Sequence, residues 1–197
     1  MKNLILLAIA GTIGGLLLLV SMSNNVYGIT VNNTDFSVNV LHNWAYRQPT
    51  DNPLTGALAK VFGVNPPLIL IPTEFSNFLV NTSSNLTEAI HNGGGFSQMT
   101  LDTDYPYRNV PLEVYTQYNI NKSPVKIFSK ENTTIDGEPA VKIHRTPRTN
   151  FSNVDVVEYY VVHDSKPYTL QYAANVKDFQ KYLPQFEQMV KTFKFVK

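Results

Sequence analysis

The ten residues from Val154 to His163, VDVVEYYVVH, contain no glycine or proline and are mostly β-branched or aromatic. That composition fits a well-buried strand and disfavours a helix. After the turn HDSKP, Tyr168, Leu170 and Tyr172 alternate with Thr169, Gln171 and Ala173, which predicts a partner strand with one face inward. Val176, Phe179, Leu183, Phe186, Val190 and Phe193 then recur at threes and fours and predict a long C-terminal helix with one apolar stripe. Asn175 is placed to cap it, with Asp178 three residues on completing a capping-box-like pair. Pro184 has no N–H and clashes one turn back, so the expectation is a short first turn and then a kink or restart with Pro184 near the start of the main helix. Gln185 lies off the stripe and reads as a surface position. Everything upstream has to pack onto this strand, turn, strand and helix.

Phe36, Val38 and Val40 alternate inward along a first strand that ends at Trp44 and Tyr46, with Trp44 as a core plug. Asn52 to Gly63 reads as an inserted helix capped by Asn52, with Pro53 at its first position and Gly63 as its stop. Leu68 to Ile71 is a short strand between prolines, which Asn77 to Val80 continues or pairs with, and Leu86 to Ile90 allows one helical turn. Gly93-Gly94-Gly95 is a turn, since the FSQMTL that follows reads as strand rather than as the helix an anion cradle requires. Asp102-Thr103-Asp104 lacks the glycine and glutamate of a calcium loop and reads as solvated loop. Asn109 is placed to cap a second helix over VPLEVYTQY, with Leu112, Tyr115 and Tyr118 inward. Val125 to Ser129, the turn Ile135-Asp136-Gly137 and Ala140 to His144 form a hairpin with Val141 and Ile143 inward, and Arg145 to Asn153 is the loop into the final unit. Hairpin strands with interspersed helices define an α+β fold: a central antiparallel β-sheet flanked by helices.

Of 197 residues, Lys and Arg supply 16 and Asp and Glu 15. No basic excess exists to condense on nucleic acid, which is therefore not an expected partner. The absence of cysteine excludes disulfides, thiolate metal sites and a cysteine nucleophile. The run Leu4 to Val20 is uncharged, and Val26-Tyr27-Gly28 presents residues a signal peptidase accepts. Residues 1–28 are thus a signal peptide cleaved after Gly28 or an N-terminal membrane anchor, and 29–197 a single domain outside the cytoplasm. Sequons at Asn32, Asn81, Asn85, Asn121, Asn132 and Asn150 are candidate glycosylation sites consistent with that side of the membrane.

FSVNVLHNW, IDGEPAVKI, YTLQYAAN and YLPQFEQMVKTFKF together resemble the PsbP-like family, related to the extrinsic PsbP subunit of photosystem II. The resemblance spans Phe36 to Phe195 in outline and is most specific at Asp136-Gly137-Glu138-Pro139-Ala140 and at Thr192-Phe193. It implies an α/β/α sandwich and an extracytoplasmic, mostly non-enzymatic protein that docks on membrane complexes. Two departures stand out: His42-Asn43 replaces the proline common before the tryptophan, and Asn52 to Gly63 is an insertion. No photosystem role follows, and no ligand pattern carries over.

The sequence holds no Gly-x-Ser-x-Gly, His-Glu-x-x-His or phosphate loop. His42, His91, His144 and His163 fall in four separate segments. Asp164 and Ser165 next to His163 suggest a triad only on paper, because neighbours along a strand point to opposite faces. The expectation is a domain without catalytic residues, metal or cofactor, acting through a membrane or envelope protein complex, and reaching the membrane through residues 1–28 if these are retained. The alternative is a small-ligand or metal-binding module of the cell envelope that uses a sheet-to-helix cleft near Trp44, Tyr159, Tyr160 and Tyr172.

Overall fold

The computed structural model describes residues 27–32, 34–47, 68–74, 97–103, 109–122, 125–146 and 153–196. The expected helix at 52–63, the segments at 77–80 and 86–90, the Gly93–Gly95 turn, His91 and the sequons at Asn81, Asn85 and Asn150 lie outside them.

The strands are β1 (Tyr27–Asn32), β2 (Phe36–Leu41), β3 (Trp44–Arg47), β4 (Leu68–Pro72), β5 (Ser97–Thr103), β6 (Ile127–Ile135), β7 (Glu138–Arg145), β8 (Val154–His163), β9 (Lys166–Asn175) and β10 (Lys194–Phe195). The helices are α1 (Leu112–Asn121) and α2 (Val176–Val190). A seven-stranded antiparallel sheet runs β3-β4-β5-β9-β8-β7-β6, and a smaller one runs β1-β2-β10. The fold is α+β, with the large sheet between two helical layers.

Alternation along the strands sorts the core into two. Val157, Tyr159, Val161, Leu170 and Tyr172 face α2 and share one cluster with Phe36, Val38 and Val40 of the small sheet. Val141, Ile143 and Tyr160 face the other way and pack with Tyr115 of α1. The expected inward sets of β2, β7 and β9 all hold. Asp136 and Gly137 have φ of 51° and 86°, the left-handed pair that a two-residue hairpin turn requires.

Several expectations are corrected. Helix α2 runs unbroken from Val176 through Pro184, because buried Phe179 and Tyr182 before the proline and Phe186 and Met189 after it hold both halves on the sheet. Its stripe is rotated: Met189 and Tyr182 are buried and Val176 is exposed. The helix stops at Val190, and Phe193 is buried in the turn that leads into β10, with Phe195 buried on that strand. Helix α1 begins after Pro111 with no side-chain cap, while Asn109 sits at φ 57° and donates its N–H to the Ser165 carbonyl at 2.9 Å. On α1, Thr116 and Asn119 are buried with Tyr115, and Tyr118 is exposed. Asp102 and Thr103 belong to β5, and Arg145 to β7, rather than to loops. Strand β1 lies in a stretch for which the sequence predicts no strand.

Candidate functional site

The α1 face of the sheet holds a buried polar network. Arg145 and Glu158 are 2% and 1% exposed, and Glu158 accepts from Arg145 Nε at 2.8 Å, Arg145 Nη2, the Tyr160 hydroxyl and Gln171 Nε2 at 2.6 Å. Arg145 Nη1 donates to the Thr146 carbonyl at 2.7 Å. Burial alone would lower the Arg145 pKa, but the Glu158 carboxylate outweighs it and raises the value. With four donors on one carboxylate, Glu158 has no lone pair left for a substrate, and the network fixes β7, β8 and β9 to one another.

On the opposite face, an open groove of about 390 Å³ lies between α2 and the β6–β7 hairpin. Lys142, Tyr159 and Glu187 line it together with Glu131 and Lys191. Lys142 Nζ stands 2.5 Å from Glu187 Oε1. Burial works against the Lys142 charge, and the hydrogen bond to Glu187 together with the electrostatic pull of Tyr159, Glu187 and Glu131 more than offsets it, so its pKa rises. Burial likewise raises the pKa of the Tyr159 hydroxyl.

His163 sits at the end of β8 with its ring stacked on Phe195 at 4.1 Å between centroids. Its Nδ1 is 2.9 Å from Glu138 Oε1 and its Nε2 is 3.5 Å from Asp164 Oδ2. The two-residue turn, with Asp164 and Ser165 at φ 47° and 64°, thus folds Asp164 back beside His163, a contact that strand alternation does not predict. The other described histidines are apart from it: His144 stacks on Phe179 at 5.0 Å, and His42 lies in the β2–β3 turn. Among the described residues no group of three or more His, Cys, Asp or Glu is arranged to hold a metal ion.

The expected aromatic cleft is divided between the two cores. Tyr160 faces α1, whereas Trp44, Tyr159 and Tyr172 are buried in the α2 core. Trp44 Nε1 donates to Gln185 Oε1 at 2.6 Å and Asn43 Nδ2 donates to the same oxygen at 3.0 Å, so Gln185 is not an idle surface residue. The Tyr172 hydroxyl donates to the Phe179 carbonyl at 3.1 Å. Of the described sequon asparagines, Asn32 on β1, Asn121 on α1 and Asn132 on β6 are all exposed.

The two most specific motifs of the PsbP-like resemblance each tie the end of the chain to another part of the fold. Asp136 accepts from Lys194 Nζ at 2.6 Å and from the Phe195 N–H at 2.9 Å. Thr192 Oγ1 accepts the Asn39 N–H at 2.9 Å. The motifs therefore join the β6–β7 turn and β2 to the segment after α2.

The class of protein defined so far is an antiparallel α+β sandwich with a helix on each face. No family model and no curated protein matches the chain. It is similar to the solved structure of cyanobacterial PsbP (CyanoP) from Synechocystis sp. PCC 6803, at 8% identity and TM-score 0.48 over 87% of this chain and 94% of that one. It is also similar to PA94, a Pseudomonas aeruginosa protein of unknown function, at 12% identity and TM-score 0.44 over 49% of this chain and 70% of that one. A third similarity is to the apo T6SS immunity protein TplEi of P. aeruginosa, at 8% identity and TM-score 0.39 over 85% and 96%. Similarities at this level transfer no activity or partner.

Proposed function

We propose that the chain is a non-catalytic, extracytoplasmic PsbP-like domain that binds a protein partner, or assists assembly of a complex, at the outer face of the membrane. The observation that carries this reading is the outer edge of β6. This nine-residue strand ends the large sheet, contains no proline, and pairs only with β7 among the described residues. Because Ile135 and Glu138 flank a two-residue turn, they form a mutually bonded pair, and alternation then turns the N–H and C=O groups of Lys130, Asn132 and Thr134 outward. An extended segment of a partner can add there as a further strand. The non-catalytic reading is supported by the internal engagement of Glu158, Lys142 and Arg145 described above. The apolar run Leu4 to Val20 and the exposed asparagines support an extracytoplasmic position, with the membrane reached through residues 1–28. Among the described residues no helix is long and apolar enough to cross a membrane, and the Leu4–Val20 run lies outside them.

The test is a photo-crosslinking residue at Asn132, with one at exposed Gln180 as control, in protein on native membranes. Crosslinking to an envelope protein from position 132 alone, abolished by Lys130→Pro, is the expected result. Proline at an outward-facing N–H blocks an added strand while sparing the β6–β7 bonds. Equal crosslinking from both positions, or none from 132, refutes the reading. The groove over Lys142 and Tyr159 favours a second reading, a small polar ligand. A thermal-shift screen decides it by a midpoint rise that scales with ligand concentration and disappears in Lys142→Ala.

A further inference from the structure

The position read from sequence as a cleavage site is built into the fold. Strand β1 begins at Tyr27, which pairs with Leu41 and packs against the main core. Between Tyr27 and Ile29 the register against β2 shifts, so Gly28 is the extra residue of a β-bulge. A Cβ on Gly28 would lie 2.9 Å from His42 Cα and 3.3 Å from His42 Cβ. The nearer of these is a backbone atom of the β2–β3 turn, which cannot swing aside as a side chain can. Glycine at 28 is therefore required by packing, and its small size needs no protease to account for it. A cut after Gly28 would remove the core contact of Tyr27 and the bulge together, leaving β1 to start at Ile29, which is 46% exposed.

We infer that the Gly28–Ile29 bond stays intact in the mature protein, so that Tyr27 and Gly28 remain part of the folded domain. The segment before Tyr27 is then either kept as the anchor or removed upstream, where Ser21 and Ser23 offer small residues at the spacing a signal peptidase reads. This inference rests on the export reading, and the experiment separates the two.

The native full-length gene product is fractionated, and the protein recovered outside the cytoplasm is subjected to intact-mass measurement and N-terminal sequencing. Recovery only from the cytoplasm sinks the export reading by itself. In the exported protein, an N-terminus at Met1 or anywhere before Tyr27 is the expected result, and one at Ile29 overturns the inference. A second measurement uses Gly28→Ala in the full chain. Alanine suits a signal peptidase at that position but collides with His42, so the unfolding midpoint should fall by roughly 3 °C or more. An unchanged midpoint overturns the inference. If the variant does not accumulate, the N-terminus of the unmutated protein decides alone.

Discussion

Helix α2 offers a comparison in which three substitutions on one helix separate packing, hydrogen bonding and helix propensity. Phe186 is 0% exposed, with its ring stacked on Tyr172 at 5.3 Å and tilted against Tyr159 at 5.8 Å. Phe186→Ala removes this ring from a core whose other members are held by two sheets, so the cavity cannot collapse, and the expected cost is about 3–5 kcal/mol. Gln185→Ala takes away the single oxygen that accepts from both Trp44 Nε1 and Asn43 Nδ2. The indole N–H is then stranded in a residue only 4% exposed, at a cost of about 1–3 kcal/mol. Gln180→Ala, on the exposed side of the same helix, should change stability by no more than about 0.5 kcal/mol. Alanine is a good helix former at all three positions, so propensity does not generate the order. Urea denaturation with a common m-value reads the three differences directly. A Gln185→Ala loss equal to that of Gln180→Ala would show that Trp44 is not held by Gln185. A Phe186→Ala loss no larger than that of Gln185→Ala would mean that α2 does not seal the main core.

Three further outcomes are expected. Arg145→Met leaves the Glu158 carboxylate buried without its cation and should cost about 3–5 kcal/mol by urea denaturation, whereas pairing it with Glu158→Leu should restore only part of that loss, because the Tyr160 hydroxyl and Gln171 amide then lose their acceptor. Burial pushes the Asp136 pKa up, but hydrogen bonds from Lys194 and the Phe195 N–H together outweigh it and hold the value below the ordinary 3.8. Its contribution to stability is therefore complete above that value and is lost as pH falls through the depressed one, so Asp136→Asn should flatten the fall in urea midpoint measured between about pH 6 and about pH 3. Ser165 at φ 64° occupies a left-handed position without being glycine, and Ser165→Gly should stabilise by roughly 0.5 kcal/mol, read as a higher thermal midpoint, since relief of the backbone exceeds the added chain entropy.

What could be read from the sequence were features with a local cause. The β-branched run of β8, the alternation of β9, the Asp136-Gly137 turn and the Asn175 cap, whose Oδ1 accepts the Lys177 N–H at 3.0 Å, all depend on residues within a few positions of one another. The misreadings fall where a distant partner decides. Arg145 reads as loop because its charge is cancelled by Glu158, thirteen residues on and in another strand. The inner face of helix α1 is legible at Leu112 and Tyr115 but not at Tyr118, because the helix buries Thr116 and Asn119 instead, polar residues that a hydrophobic stripe leaves out. Strand β1 was hidden because Tyr27 and Gly28 satisfy a protease pattern and a bulge equally well. The edge of β6 is likewise invisible in sequence, since only the strand order shows that no neighbour follows it among the described residues.

Strand β2 lies between the first and last strands of the described fold, with Phe36 opposite Phe195 in register and its ring stacked on Phe193 at 5.0 Å. These partners are separated by almost the whole domain, while β6 to β9 form a meander of consecutive hairpins. Closure of so long a loop comes after the local pairings in folding. As the chain emerges during synthesis, β1 and β2 can pair with each other but have no cover for Phe36 until the last residues are free. The small sheet therefore closes last: a chain truncated before Lys194 should keep its N-terminal strands open to protease, and resistance at that length would show that β10 is dispensable for closure.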